Sequence, residues 1–307
     1  IVAMYGRVPR AKDPAQLIAE LDALLATGWQ DPIFIVDDNF IGHKPKAKAL
    51  LRALIEWRTR RKVRMPFTTE VSLNLVDDPE LLELLVDAGF KKVFIGIETP
   101  SEAGLAECTK VQNTQRDLIA AVAQIQNAGI EVMGGFIVGF DSDEASIFER
   151  QRRFIQEAGV VTAMVGLLTA LPQTRLFARL KEEGRLLSES TGNNLDGVLN
   201  FIPKLDRDTL VDGYRKLLLH LYSPRAYYQR ALTFLSRYRM RGPRIQVTLT
   251  DLLAFVRSLW VIGIRTPGRR EYWKFVARSL LRHPRAFSEA INLAIIGYHF
   301  RQVATQV

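Results

Sequence analysis

The chain has 307 residues, of which 48% are hydrophobic and 24% charged, and this composition excludes a disordered, collagen-like or low-complexity protein. Its single cysteine excludes an internal disulfide and any metal site built only from cysteines of this chain. The net charge of +9 is uneven, because the residues from Tyr222 onward include 15 Lys and Arg against three Asp and Glu. The sequence has no run of 18 apolar residues and no signal-peptide pattern, so it predicts no transmembrane helix.

The first 170 residues alternate between helical and strand patterns. An apolar helical stripe over 17–25 follows Asp13 and Pro14, which are typical of a helix N-cap and a first turn. Three Ala-Gly pairs end further helical stretches, the last of which is predicted over about 143–157, and each pair leads directly into an apolar run. Buried strands are predicted at 33–37, 65–71, 92–98, 131–140 and 160–171. Alternating strands and helices imply an α/β fold whose sheet is parallel, with right-handed crossovers.

The strand pattern stops before Asp206, and the remaining sequence predicts helices separated by Pro and Gly breakers. These helices are predicted at 206–221, 224–239, 248–262, 271–281 and 284–301. The stretch before them is polar and has no hydrophobic period. The sequence therefore divides into an α/β domain at 1–187, a linker at 188–205 and a basic, mostly helical domain at 206–307.

Acidic side chains follow three consecutive predicted strands. Asp37, Asp38 and Asn39 come after the first strand, and Glu70 and Glu98 lie at the ends of the next two. In parallel α/β folds, ligands bind at the carboxyl ends of the strands. The first three residues could equally cap the next helix, whereas a glutamate in a strand is costly to bury without a partner. The two glutamates therefore predict a ligand that carries hydroxyl groups or an amine.

The fourth predicted strand carries glycines in place of a carboxylate. Gly134, Gly135 and Gly139 leave the backbone uncovered, which lets a flat ligand approach it closely. Together with the acidic strand ends, they predict a single ligand site across this edge of the sheet.

The segment Gly135-Phe136-Ile137-Val138-Gly139 resembles the G-x-I-x-G motif with which radical S-adenosylmethionine (SAM) enzymes bind adenine. The segments 36–40 and 96–99, with Lys110, are similar to the cobalamin-binding branch of that superfamily, which includes the hopanoid methylases and the anaerobic bacteriochlorophyll cyclase. The resemblance covers about residues 1–185, and 265–273 resembles the helical extension of the same subgroup.

The resemblance implies a partial (β/α)6 TIM-like barrel followed by a mostly helical domain. Because only five strands are predicted, we expect this barrel to lack its first strand. The strand at 33–37 would then expose an unpaired hydrogen-bonding edge, which favours aggregation.

This sequence departs from the family in the cysteine ligands of the iron–sulfur cluster. The family binds its 4Fe-4S cluster with a Cys-x3-Cys-x2-Cys loop after the first strand, whereas this chain has only Cys108, whose expected role is packing. The chain begins Ile1-Val2, and residues 4–10 resemble the segment that follows the cysteine loop. We therefore expect a truncated fragment that is inactive by itself and has no metal site. The cluster and cobalamin would belong to the full-length protein.

The resemblance also implies a role in SAM binding for each candidate residue. The segment 37–39 would meet the methionine amino group, and Glu70 and Glu98 would hold the amino group or the ribose hydroxyls. The adenine would lie on Gly135, Ile137 and Gly139. Carboxylates suit this ligand because its sulfonium and its amino group are both cationic.

The implied activity is methyl transfer or rearrangement on a hydrophobic or lipid-like small molecule, in the cytoplasm. Two alternatives remain open at the level of sequence. One is a barrel lyase that uses Glu70 or Glu98 as a general base and needs no iron. The other is a non-catalytic barrel that binds SAM or a lipid.

The basic C-terminal region has three interpretations. In the first, its arginines form a solvated face; in the second, they contact anionic lipid headgroups, which the interleaved Trp and Tyr residues favour. Nucleic-acid binding is the third, and no recognised motif supports it. With a lipid-like substrate, the lipid interpretation predicts peripheral contact with a membrane.

Overall fold

Five parallel strands form one sheet whose spatial order follows the order of the chain. In the computed structural model, which describes residues 11–190, 199–241 and 249–306, they are β1 (Ile33–Ile35), β2 (Phe67–Glu70), β3 (Phe90–Glu98), β4 (Glu131–Val138) and β5 (Ala163–Leu167). The predicted parallel sheet is confirmed, and β1 lies at its edge. The predicted bounds were mostly too long, because the apolar runs continue into turns.

Helices connect the strands and cover one face of the sheet. They are α1 (Pro14–Ala26), α2 (Lys44–Arg61), α3 (Pro79–Asp87), α4 (Glu102–Glu107), α5 (Leu118–Ala128), α6 (Ile147–Ala158) and α7 (Arg175–Glu182). The Asp13 carboxylate accepts the backbone N–H of Gln16 as an N-cap, and the predicted Ala-Gly stops are confirmed, with Gly129 and Gly159 in the left-handed region. The sequence analysis did not predict α4 and α7.

The start of α6 shows why one predicted helix was too long. A helix was expected from about residue 143, but α6 begins at Ile147. Asp143 is buried and instead accepts the backbone N–H groups of Gly139 and Phe140, at 2.8 and 3.1 Å. Its carboxylate therefore stabilises the turn after β4, and the helix begins later.

The described part of the C-terminal region contains five further α-helices. They are α8 (Arg207–Leu221), α9 (Pro224–Arg237), α10 (Leu249–Trp260), α11 (Arg269–Arg282) and α12 (Phe287–Ala304). Helix α10 continues into a π-helical turn at Val261–Arg265. No helix among the described residues is long and apolar enough to cross a membrane.

Arg230 joins the two regions. This α9 side chain is fully buried, and its guanidinium lies over the rings of Tyr222 and Tyr227 at 5.8 and 5.4 Å from their centroids. It also donates to the backbone oxygen of Val161, beside β5. The helical region therefore packs on the sheet region through a desolvated cation with aromatic neighbours.

The predicted linker also makes specific contacts where it is described. The Asn200 side chain exchanges two hydrogen bonds with the backbone of Ala170, and Leu186 pairs with Phe201 in an antiparallel bridge. Residues 191–198 of that linker lie outside the described residues. The described part is held against the end of β5.

Candidate functional site

The two faces of the sheet differ in burial. On the helix-covered face of β3, Val93, Ile95 and Ile97 are fully buried. The alternating residues point to the other face, where Phe94 is only half-buried. At the two edges of this second face, Phe34 on β1 is 49% exposed and Met164 on β5 is 46% exposed. We call this second face the open face; it is the one large apolar surface of the sheet that its own helices leave uncovered.

Glu70 lies on the open face at the carboxyl end of β2. In the parallel register it is the partner of Phe94 on β3. Its pKa is raised, first by burial and then by the negative charges of Asp38 and Asp37. No cation among the described residues forms an ion pair with it. This corner of the site therefore carries uncompensated negative charge and favours a cationic ligand.

Glu98 has a different electrostatic environment at the end of β3. Its backbone is in the left-handed region, with φ of 69°, where a bulge shifts the register against β4. Its Oε1 lies 2.9 Å from Nζ of Lys110, which also donates to the backbone oxygen of Gly96. A Cβ on Gly96 would lie only 2.5 Å from Oε1. The charge of Glu98 is therefore balanced, which suits hydrogen bonding to a neutral hydroxyl more than binding a cation.

The three residues on which the adenine was predicted to lie are found in two different environments. Gly135 is on the open face, where an added Cβ would lie 2.7 Å from the ring of Phe94, and Ile137 is half-buried two residues further along the same face. Gly139 has φ of +106°, and a Cβ there would meet Leu210 of α8 at 3.2 Å. The structure thus brings Gly135 and Ile137 together with Glu70 and Glu98, whereas Gly139 packs against the helical region.

The segment 37–39 is folded across the end of β2. Asp37 accepts the backbone N–H of Asn39, and the Asn39 side-chain oxygen accepts from the backbone N–H of Ser72 at 3.1 Å. The backbone N–H of Phe40 donates to the backbone oxygen of Glu70. These bonds hold the exposed Asp38 carboxylate near Glu70. The amide of Asn39 is occupied by this local structure.

The described residues do not fit an iron–sulfur cluster. No group of three or more His, Cys, Asp or Glu side chains within the described ranges is arranged to hold a metal ion. Cys108 follows α4 directly, its Sγ donates to the backbone oxygen of Leu105, and burial raises the pKa of its thiol. It therefore has the character of a packing residue, not of a thiolate ligand.

Sequence reasoning missed the apolar wall of the open face. Phe34, Phe94, Met133 and Met164 lie on it, beside the two glutamates. Next to them, the Cβ position of Gly166 has nothing within 4 Å. The signal that could have found this wall is the period-2 alternation within each strand, which assigns these residues to the face opposite the most apolar positions.

A charged cluster closes the amino-terminal end of the open face. Lys92 on β3 lies 2.8 Å from Glu131 on β4, and its Nζ is 3.8 Å from Oε1 of the half-buried Glu289 in α12. Helix α12 therefore packs against the sheet at this end. Among the described residues, the cluster leaves the carboxyl ends of the strands and the exposed edges of the sheet accessible to a ligand.

Two family models match the chain. Residues 3–155 match the radical SAM superfamily, and residues 174–307 match a domain of unknown function, DUF4070.

Similar proteins come from several bacteria. An uncharacterized methyltransferase of Synechocystis is 38% identical over 98% of this chain and 57% of its own length, and the hopanoid C-2 methylase of Rhodopseudomonas palustris is 34% identical over 92% and 54%. The chain thus spans about half the length of these curated relatives. A structure of the radical SAM methyltransferase TsrM from Kitasatospora setae, with cobalamin and a [4Fe-4S] cluster bound, has a TM-score of 0.54 at 17% identity, over 94% of this chain and 56% of that one.

Proposed function

Since the chain belongs to the radical SAM superfamily, we propose that it is the SAM-binding part of a cobalamin-dependent radical SAM methyltransferase with a hydrophobic, lipid-like substrate. The observation that carries this proposal is the open face itself. It places an unpaired carboxylate at Glu70, a neutralised one at Glu98 and bare backbone at Gly135 on one surface. The relatives that match over almost the whole chain are methyltransferases by name.

The open face fits SAM by its distribution of charge. Glu70 would hold the cationic methionine end, with Asp38 adding attraction at longer range. Glu98, held in place by Lys110, would accept hydrogen bonds from the ribose hydroxyls, and the adenine would lie near Gly135 and Ile137. Bound SAM supplies an activated methyl group and the precursor of a carbon radical. The protein's own contribution is to orient SAM and to exclude water from it.

We further propose that β1–β5 are five strands of a six-stranded partial barrel whose first strand would pair with the outer edge of β1, the end strand of the described sheet. The cluster loop and the cobalamin site would be supplied by the full-length protein, since the described residues offer no cluster ligands. This chain would then be inactive alone. Under this proposal its 1–187 part carries the SAM site and its 206–307 part closes the site and contacts a membrane surface.

The substrate class follows from the apolar wall. Phe34 and Met164 expose about half of their surface at the edges of the open face, and the empty space beside Gly166 leaves room for a bulky apolar molecule. Such a molecule resides in membranes, so a peripheral position of the protein would bring the site to its substrate. The name of the hopanoid methylase relative agrees with this substrate class.

Methyl transfer from SAM in the full-length protein, reconstituted without oxygen, tests the proposal. We expect transfer of a labelled methyl group to an apolar extract, with dependence on iron and cobalamin. The Glu70→Gln variant should lose most of it, and Thr68→Ser, a change on the same face of the same strand, should not. Turnover in iron-free protein would contradict the proposal and favour the lyase.

A further inference from the structure

Helix α10 presents an apolar stripe to solvent. The stripe consists of Leu249, Leu252, Leu253, Val256 and Trp260, and Ile264 in the following π-helical turn extends it. These side chains are 49–81% exposed. At 100° per residue the first five lie within about 120° of the helix circumference. Scattered exposed apolar side chains are ordinary, but a continuous stripe marks an interaction surface.

The opposite side of the same helix already has its partners. Ser258 lies 3.0 Å from the hydroxyl of Tyr272 on α11, and the ring of Phe255 contacts that of Phe287 on α12. Ile262 is buried. Helix α10 is therefore fixed to the protein by one face, and the stripe faces away from α11 and α12. A second apolar face is not needed to hold this helix in place.

Arginines surround the stripe. Arg257 lies on α10, Arg265 ends the π-helical turn, and Arg269 and Arg270 begin α11; all four are exposed. None of them forms an ion pair with another residue in the described ranges. The acidic residues described in the same part of the chain are Asp251 on α10, which is exposed and makes an interaction of its own, Glu271, which is paired with Lys274, and the half-buried Glu289 beside Lys92. With four exposed arginines against one exposed acidic side chain, the surface around the stripe is net positive, and its partner must be apolar in the middle and anionic at the rim.

We infer that α10 inserts its apolar stripe into the interfacial layer of an anionic lipid bilayer, with the four arginines binding headgroup phosphates. A bilayer surface supplies acyl chains next to a plane of negative charge, which matches both features. Trp260, in the centre of this arrangement, is a residue type that prefers the bilayer interface. A second copy of the chain fits poorly, because it would bring the same arginines against each other.

This inference gives the proposed membrane contact a defined surface, and it rests on the proposed function only for its biological purpose. Its test needs neither SAM nor iron. Wild-type protein that binds vesicles but transfers no methyl group would therefore count against the proposed function alone, and wild-type protein that binds no vesicles would count against the inference alone.

The test is vesicle flotation with the intact protein, using phosphatidylcholine vesicles with and without phosphatidylglycerol. Leu253→Asn/Val256→Asn should weaken binding to anionic vesicles at least tenfold, whereas the control Leu187→Asn/Leu219→Asn, on exposed leucines outside the stripe, should leave it unchanged. Arg257→Gln/Arg265→Gln should reduce the preference for anionic vesicles, with Arg60→Gln/Arg153→Gln as its control. The fluorescence of the wild type should shift to the blue on binding, and Trp260→Phe should remove this shift.

Three results would overturn the inference. They are equal binding to neutral and anionic vesicles at low salt, unchanged binding by the stripe variant, and a wild-type dimer in solution that the stripe variant converts to a monomer. The last would assign the stripe to a second copy. All substituted side chains are exposed, so thermal unfolding of every variant should match that of the wild type and separate these outcomes from misfolding.

Discussion

The sheet region and the helical region both combine an apolar surface with net charge, but the charges have opposite sign and the surfaces differ in shape. On the open face, apolar side chains from four strands lie around the carboxylates of Glu70 and Asp38. On α10, a single helix carries apolar side chains outward among arginines such as Arg257. A sheet face that gathers strand ends favours a small cationic ligand, whereas an outward helix favours an extended anionic surface. The comparison teaches that charge must be interpreted together with the surface that carries it.

The largest expected effect on stability comes from removing the contact that Arg230 makes between the two regions. Arg230→Ala should lower the free energy of unfolding by about 3 kcal/mol, because it removes the cation between Tyr222 and Tyr227 and leaves the Val161 carbonyl unpaired in the interior. Denaturant unfolding measures the loss. Arg225→Ala, an exposed neighbour on the same helix, should change stability by less than about 0.5 kcal/mol. If the two variants were equally stable, the regions would not be joined at Arg230.

A somewhat smaller effect concerns the loop after β4. The guanidinium groups of Arg185 and Arg179 lower the pKa of the mostly buried Asp141 from its usual value near 4 to about 2. This carboxylate therefore stabilises the fold above the unfolded-state pKa, and the stabilisation is lost as the pH falls from about 4 to about 2. Asp141→Asn should cost about 2 kcal/mol at pH 7 and flatten the stability profile in that acidic range. An unaltered profile would mean that these ion pairs are only surface contacts.

A third prediction compares two glycines of the open face. Gly135→Ala should destabilise the protein by about 1–2 kcal/mol, because the new Cβ would lie 2.7 Å from the Phe94 ring. Gly166→Ala, which meets nothing within 4 Å, should be near neutral. Thermal unfolding of both variants measures the difference. Equal stabilities would show that the Phe94 ring moves freely and that Gly135 is not required by packing.

The smallest effect on stability concerns the outer edge of β1, with which no other described strand pairs. Val36, which directly follows the strand, is 82% exposed, so Val36→Lys should leave unfolding unchanged while it reduces concentration-dependent association through this edge. Light scattering at increasing protein concentration measures the association. Wild-type protein that stays monomeric at every concentration would indicate that the edge of β1 is covered, and it would contradict the expectation that a strand is missing there.

Much of the sheet could be predicted from local sequence, since helix caps, Ala-Gly stops and apolar runs act within a few residues of each other. The placement of Glu70 and Glu98 on one face also followed from strand ends and parallel topology. The role of Gly139 did not, because it depends on Leu210, some 70 residues away in the chain, approaching its backbone. Nor did the pairing of Glu98 with Lys110, which requires the left-handed bulge at Glu98.

The stripe on α10 shows a different limit of sequence reasoning. The leucines at 249, 252 and 253 have helical spacing, and such spacing ordinarily predicts burial. Both sides of this helix are apolar, so the sequence alone leaves open which side the protein covers. Only the contacts of Ser258 and Phe255 with α11 and α12 identify the covered side.

The affinity of the full-length, reconstituted protein for SAM tests the central claim most directly. If Glu70 is the uncompensated anion that holds the cationic methionine end, Glu70→Gln should raise the dissociation constant about tenfold in equilibrium dialysis, which corresponds to about 1.4 kcal/mol. Thr68→Ser on the same face of β2 should leave the dissociation constant unchanged. Equal affinities of Glu70→Gln and the wild type would contradict the assignment of the open face as the SAM site.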